Sequence, residues 1–226
     1  MNLIPLLINQ RLCSLKNTAQ AVISGNLNTL DWLESLPFTL AFVCGNHENY
    51  DALERYPVKD WHGGKVHRIR SHVLHLMRGQ VFELEGYHFF TMGGAKSHDT
   101  EDGILEPGAP DFEQKLLMLQ RKPRARYRIN HISWWAQEMP SEEEYAEARN
   151  NLAKVDWAVD YVITHCAPTS IALMENRHNE ADPLTDFLQE VKERAHYHYW
   201  LFGHYHDNRA IDEKHVLLWE QIVQVI

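Results

Sequence analysis

The chain has 226 residues, of which 44% are hydrophobic and 11% aromatic, so it suits one domain with a sizeable core better than two domains. A formal net charge of -9 argues against a membrane surface or a broad nucleic-acid surface as partner, because both require a basic face. The 3 cysteines form no Cys-x-x-Cys pair, which favours a cytoplasmic location over a disulfide framework. No signal peptide and no membrane span are predicted.

The first readable pattern begins after residues 1–27, for which no secondary structure is predicted. It is a short helix that Pro37 ends, with three leucines on one face and two candidate N-caps before them: the leucines are Leu30, Leu33 and Leu36, and the caps Asn28 and Thr29. A buried strand over Thr39–Cys44 follows, and Gly45 turns the chain. In layered α/β folds, loops at the carboxyl ends of strands hold the ligand-binding residues.

Short strands and polar turns dominate the middle of the chain. After a helix at Tyr50–Arg55, an antiparallel block is predicted with four strands at Val66–Arg70, Val73–Met77, Gln80–Glu83 and Tyr87–Met92. The glycine turn Gly93-Gly94 ends the block, Lys96–Pro110 is predicted to be a loop, and Phe112–Gln120 a helix. The basic residues between 121 and 128 allow two interpretations, a phosphate contact or a solvated arm.

Two helices in the last third carry N-terminal capping signals. Ser141 with Glu144 predicts a helix that runs to about Lys154, and Asp182-Pro183 predicts one through Glu193. Each helix precedes an apolar strand, and a final strand or two are predicted near the end: the ranges are Val159–Thr164, Tyr199–Phe202 and Val216–Ile226. The first two of these strands each end at a histidine, and a histidine also follows the strand before Gly45.

Polar residues that suit a metal ion follow these three strands. They are Asn46 and His47 in a Gly-Asn-His-Glu turn, His165, and His204 with His206 in a Gly-His-Tyr-His segment. Neutral imidazoles and an amide oxygen bind Mn, Fe or Zn, while His47 remains available for acid chemistry. The alternation in the last segment predicts that His204 and His206 project to the same side. Taken singly, each histidine is also consistent with a packed or surface residue.

In their order and spacing these motifs resemble the last three of the five blocks of the calcineurin-like metallophosphoesterase family. The run from Trp32 to Pro168, which includes Trp134 and Trp135, resembles small bacterial or phage phosphatases of that family. The resemblance implies an α/β fold, a sandwich of α-β-β-α layers, formed by residues 28–226 with an insertion at about 100–124.

The same resemblance assigns roles to the site residues. It implies that Asn46, His165 and His204 bind the second metal, that His206 binds the first, and that His47 protonates the leaving-group oxygen. The implied cofactor is a divalent metal, Mn, Fe or Zn, as one ion or two. The implied partner is a phosphate-ester substrate, either a small molecule or a phosphoprotein.

The first two blocks of the family pattern, Asp-x-His and Gly-Asp-x-x-Asp, are absent. No Gly-Asp pair precedes Gly45, and Asp31 is the only aspartate there, so we expect the N-terminal β-α-β unit to be missing or replaced. Two hypotheses remain open. One is a phosphatase that uses a metal-activated water, and the other is a truncated, impaired remnant with at most one weak metal site. A structural zinc module is less favoured, because it requires a closed four-ligand site.

Overall fold

The computed structural model describes residues 27–175 and 181–225, so most of the predicted divergent segment 1–27 lies outside the described residues. The helices are α1 Leu27–Glu34, α2 Tyr50–Leu53, α3 Phe112–Arg121, α4 Glu142–Lys154, α5 Thr169–Glu175 and α6 Pro183–Arg194, with a 3-10 helix at Ala136–Glu138. The strands are β1 Leu40–Phe42, β2 Val58–Trp61, β3 Gly64–Arg68, β4 Val73–Leu76, β5 Gln80–Leu84, β6 Tyr87–Met92, β7 Ile104–Leu105, β8 Arg128–Ile129, β9 Tyr161–Thr164, β10 Tyr199–Phe202, β11 Arg209–Ala210 and β12 His215–Leu217.

Two mixed sheets form the centre of the fold, and the predicted α/β class is confirmed. The first sheet has the strand order β1-β4-β3-β2, and the second has the order β11-β12-β10-β9-β6-β5. Strands β6, β9, β10 and β12 pair in parallel, so their carboxyl ends share one edge of the second sheet. Strand β1 is parallel to β4 in the first sheet. The loops that follow the parallel strands of the second sheet therefore lie at the same edge of that sheet.

Three buried clusters show how the elements stack. Leu33 of α1 belongs to one cluster with Val73 of the first sheet. Leu76 of the first sheet and Phe89 of the second belong to another. Leu188 of α6 belongs to a third cluster, which also contains residues of the second sheet. From one side to the other, the buried clusters thus connect helices, the first sheet, the second sheet and helices. Each fully buried leucine contributes about 2 kcal/mol to the stability of the fold.

The helices with capping signals form as predicted. The Ser141 hydroxyl accepts from the Glu144 backbone N–H at 3.3 Å, and the Glu144 carboxylate accepts from the Ser141 N–H at 2.8 Å. The Asp182 carboxylate accepts from the N–H groups of Leu184 and Thr185. These side chains satisfy donors that the first turn of a helix leaves without partners, which is why local sequence fixes both starts.

Three local predictions are wrong. Helix α1 already includes Asn28 and Thr29, so neither residue is its N-cap. The predicted antiparallel block is divided, because the β3–β4 hairpin joins the first sheet and the β5–β6 hairpin joins the second. The final strand stops at Leu217, because the Asn208 side-chain oxygen accepts from the backbone N–H groups of the next turn, those of Trp219, Glu220 and Gln221. Strands β2, β7, β8 and β11 and helix α5 were not predicted, and β7 interrupts the predicted loop Lys96–Pro110.

The basic residues between 121 and 128 contact acidic residues of the preceding segment, Lys96–Pro110. Arg126 pairs with Glu101 at 2.7 Å, and Arg128 pairs with Asp99 through two nitrogens. These pairs offset much of the positive charge, which favours the interpretation as a surface arm over a phosphate contact. None of the helices within residues 27–175 and 181–225 is long and apolar enough to cross a membrane.

Candidate metal centre

Backbone hydrogen bonds hold the ends of four strands together. The Gly94 N–H, just after β6, donates to the Cys44 carbonyl after β1 at 2.8 Å. The His165 N–H donates to Met92 O at 3.3 Å, and the Gly203 N–H donates to His165 O at 3.1 Å. The loops after β1, β6, β9 and β10 therefore meet at one place, as the sequence predicted for the three strands that precede a histidine.

Gly45 lets the His165 ring approach the turn after β1. A Cβ atom at position 45 would lie 2.7 Å from the imidazole carbon Cε1, closer than such contacts occur. Close backbone approach of this kind is a reason for glycine. The Asn46 Oδ1 atom lies 3.3 Å from His165 Nε2, and both residues are buried. The two predicted ligands thus face each other.

His204 completes a group of buried or partly buried histidines. Its ring centroid lies 5.1 Å from that of His165 and 5.9 Å from that of His98. Burial lowers the pKa of His165 well below its usual value, helped by nearby histidines. Burial, with His98, His47 and His206 nearby, lowers the pKa of His204 to about 3. Both rings are therefore neutral at physiological pH and retain the lone pair that a metal ligand needs.

A hydrogen-bond chain orients the amide of Asn46. Its Nδ2 group donates to Ser97 Oγ at 3.3 Å, and Ser97 donates to the Glu138 carboxylate from its hydroxyl at 2.7 Å and its backbone N–H at 2.8 Å. Burial raises the pKa of Glu138 although Ser97 and Trp134 hydrogen-bond to it. Because Nδ2 is engaged by Ser97, the Oδ1 atom of Asn46 is the one that faces His165.

The remaining two predicted residues lie at the margin of this group. His47 is exposed. Burial raises the pKa of Asp99, but the hydrogen bond and charge of Arg128 outweigh this effect, and the nearby His47 lowers the pKa further. His206 is exposed and stacks on Trp219, with ring centroids 5.6 Å apart. The predicted strand-like alternation is wrong, because His204 and His206 have positive φ angles of 72° and 55°. The chain is turned there and not extended.

Ser97, His98 and Glu138 were not predicted from the sequence. Ser97 and His98 follow the Gly93-Gly94 turn at the end of β6, so the rule that identified the other strand ends also indicates them. No sequence signal indicates Glu138. Of the two tryptophans, Trp135 is buried in the core and donates to Asp51 at 2.8 Å.

As metal ligands, Asn46, His165 and His204 would suit one ion better than two. Asn46, His165 and His204 offer an amide oxygen and two neutral imidazoles, a set that suits a borderline ion such as Zn. Among residues 27–175 and 181–225, no three His, Cys, Asp or Glu side chains are grouped to hold a metal. The carboxylates typical of a two-metal site are therefore not part of this arrangement.

No family model, curated protein or solved structure matches this chain.

Proposed function

We propose that the chain is a metal-dependent phosphoesterase of the calcineurin-like class, which hydrolyses phosphate esters with a metal-activated water. The proposal rests chiefly on the convergence of Asn46 and His165, whose Oδ1 and Nε2 atoms are 3.3 Å apart, with His204 beside them. The stacking of helices, two sheets and helices is consistent with the sandwich of that class.

The roles proposed for the residues are those that the resemblance implies. Asn46, His165 and His204 would hold one ion, and His206 would bind a second ion only where one is present. A bound divalent ion would polarise a phosphoryl oxygen and activate water. His47, exposed on the same turn as Asn46, is accessible to substrate and would donate a proton to the leaving oxygen. The Ser97–Glu138 chain would keep the Asn46 oxygen directed at the ion.

The second candidate is a catalytically impaired remnant that binds one metal ion weakly. The observation in its favour is that the three converging ligands are all neutral, and that within residues 27–175 and 181–225 no carboxylate completes a metal-holding group of three with the two histidines. Losing about 4 kcal/mol of transition-state stabilisation slows a reaction about a thousandfold. The two candidates thus share the metal site and differ in rate.

One set of measurements separates the candidates. Mn²⁺ and Zn²⁺ binding is followed by calorimetry, and hydrolysis is followed with 4-nitrophenyl phosphate and a phosphoserine peptide. For the phosphoesterase, we expect Mn-stimulated hydrolysis that falls at least a hundredfold in His47→Ala and His204→Ala, because the acid or a ligand is lost. His72→Ala, at an exposed histidine on another part of the surface, is the matched control.

Each outcome has a distinct meaning. Metal binding that His204→Ala abolishes, without hydrolysis in the folded wild-type protein, supports the remnant. Hydrolysis that persists in both variants contradicts the assigned roles. A folded protein that binds neither ion contradicts both candidates.

A further inference from the structure

A pocket lies beside the turn after β1, and its lining contains none of the proposed metal ligands. Its volume is about 530 Å³, and we name it the Arg78 pocket; its lining includes Cys44, His75, Met77, Arg78, Met139 and Glu144. A volume of this size suits a small organic molecule. The pocket has Cys44 in common with the strand end that precedes Asn46, but its chemistry differs from that of the metal centre.

Two buried polar atoms of this lining have no hydrogen-bond partner. Among the described residues, such atoms are His75 Nε2, Arg78 Nε, Tyr145 OH and Trp219 Nε1, so two of the four belong to one pocket. His75 is 4% exposed and Arg78 is 5% exposed. Buried polar groups in folded proteins nearly always have partners, and an orphaned pair beside a cavity indicates a missing one.

The remaining nitrogens of both side chains are engaged, which defines what the missing partner must offer. Arg78 donates from Nη1 to Glu144 at 3.0 Å, and from Nη2 to Tyr50 OH at 2.9 Å and to the Gln137 carbonyl at 2.6 Å, so Nε is its one nitrogen without a partner. His75 Nδ1 lies 2.9 Å from His67 Nδ1. If His67 donates in that contact, His75 carries its proton on Nε2, and two residues of the pocket lining then each carry an N–H group without an acceptor.

The charge and the apolar lining of the Arg78 pocket limit the class of ligand that it can bind. The Arg78 guanidinium is already paired with Glu144, and burial lowers the pKa of His75 well below its usual value, so the pocket has no spare positive charge for an anion. Met77 and Met139 line it with apolar surface. An uncharged ligand with an accepting oxygen satisfies both donors without a new buried charge.

We propose that the Arg78 pocket binds a small uncharged molecule in which a carbonyl oxygen is attached to a planar apolar body, as in an aromatic amide. The carbonyl oxygen accepts from Arg78 Nε–H and His75 Nε2–H, and the planar body packs against the methionines. No bond is made or broken. The site is independent of the proposed metal centre and of hydrolysis.

Three probes of nearly equal shape test this proposal on the full chain in EDTA. Benzamide is uncharged and carries the oxygen, benzoate carries a charge, and α-methylstyrene carries no oxygen. For benzamide we expect a Kd on the order of 1 mM, typical of a fragment this small. Nitrogen-15 spectra should show shifts of the Arg78 Nε–H and the His75 ring signals on titration, and the two other probes should bind at least fivefold more weakly.

A pair of variants localises the binding. His75→Phe keeps a ring of similar shape but removes the Nε2 donor, and it should weaken benzamide binding at least fivefold. His72→Phe makes the same change at an exposed position and should leave the Kd unchanged. If His75→Phe does not fold, the shifts of the two wild-type signals decide the question without it.

Several results would overturn the proposal. No shift with benzamide at about 20 mM, well above the expected Kd, would mean that water alone satisfies the two atoms. Tighter binding of benzoate would contradict the uncharged class. Equal binding of α-methylstyrene would show that the pocket is only apolar and that the two donors play no part.

Discussion

The candidate metal centre and the Arg78 pocket both adjoin the turn after β1, because Asn46 belongs to the first and Cys44 lines the second, yet their unused hydrogen-bonding and ligand atoms differ. In the metal centre, neutral imidazoles and an amide oxygen face one another, so electron pairs converge. In the Arg78 pocket, two nitrogens of buried side chains, His75 Nε2 and Arg78 Nε, have no hydrogen-bond partner. The first arrangement suits an electron-pair acceptor, which is a cation, and the second suits an oxygen. Under the two proposals made above, one fold presents two complementary kinds of site.

The largest expected effect concerns the buried charge of the pocket. Arg78→Met removes the guanidinium that binds Glu144, Tyr50 and Gln137, and should lower the free energy of unfolding by about 3–5 kcal/mol. Arg149→Met is the matched control, because Arg149 pairs with Glu190 at the surface, where a pair contributes less than about 1 kcal/mol. Urea denaturation measures both. Equal losses would show that Arg78 is no more important than a surface arginine.

The next prediction concerns the close approach of the His165 ring to Gly45 in the candidate metal centre. Gly45→Ala places a Cβ atom 2.7 Å from the His165 ring and should cost about 1–3 kcal/mol of stability as the ring is displaced. Gly108→Ala, where a Cβ atom meets no atom within 4 Å, should leave stability nearly unchanged. Thermal unfolding of the two variants provides the test. A neutral Gly45→Ala would indicate that the ring does not need its present position.

A smaller effect is expected for the chain that orients Asn46, and it depends on the proposed metal site. Ser97→Ala removes the acceptor of the Asn46 Nδ2 group, so the amide can rotate, and metal affinity should fall about 10–100-fold. Calorimetry with Zn²⁺ measures the change. Ser71→Ala, at an exposed serine, is the control. Unchanged affinity in Ser97→Ala would mean that another contact fixes the amide.

The smallest effect is a difference in pH dependence at the pocket. Above pH 6.5, His75 is neutral in both the folded and the unfolded chain. Below it, only the unfolded chain takes up the proton, because burial holds the folded pKa well below that value. The free energy of unfolding therefore falls as pH falls, by about 1.4 kcal/mol per pH unit, until the folded pKa is reached.

His75→Phe should lose this contribution, so its stability should fall less steeply than that of the wild type between pH 6 and 5. His72→Phe makes the same change at an exposed position and is the control. Urea denaturation at several pH values measures the slopes. Identical slopes in wild type and His75→Phe would show that His75 takes up a proton in the folded chain.

Local signals made much of this fold predictable. Capping boxes at Ser141 and Asp182 fixed two helix starts, and the apolar run at Tyr199–Phe202 is a strand with the predicted bounds. The division of the hairpins between two sheets was not predictable in this way, because each hairpin is locally just two short strands joined by a turn. Which sheet a hairpin joins depends on contacts between residues distant in the sequence, such as those of β6 with β9.

The candidate site shows the same difference between residues that local sequence indicates and residues that only packing reveals. Asn46, His165 and His204 were predicted because each follows an apolar strand, and the structure brings them together. Glu138 was not predicted, because its contact with Ser97 spans 41 residues and leaves no local pattern. The polar atoms without partners at His75 and Arg78 emerge only when burial and hydrogen bonds are known together. Sequence thus indicated the groups at strand ends, and packing revealed what orients or isolates them.

The turned backbone at His204 and His206 has a consequence for any attempt to evolve this protein toward heat resistance. Left-handed backbone costs a residue other than glycine about 1–2 kcal/mol, so both histidines occupy positions that glycine would stabilise. A screen that rewards survival on heating alone should therefore collect glycine or asparagine there and discard both imidazoles. Under the proposed function, selection for robustness and selection for chemistry would act in opposite directions at these two codons.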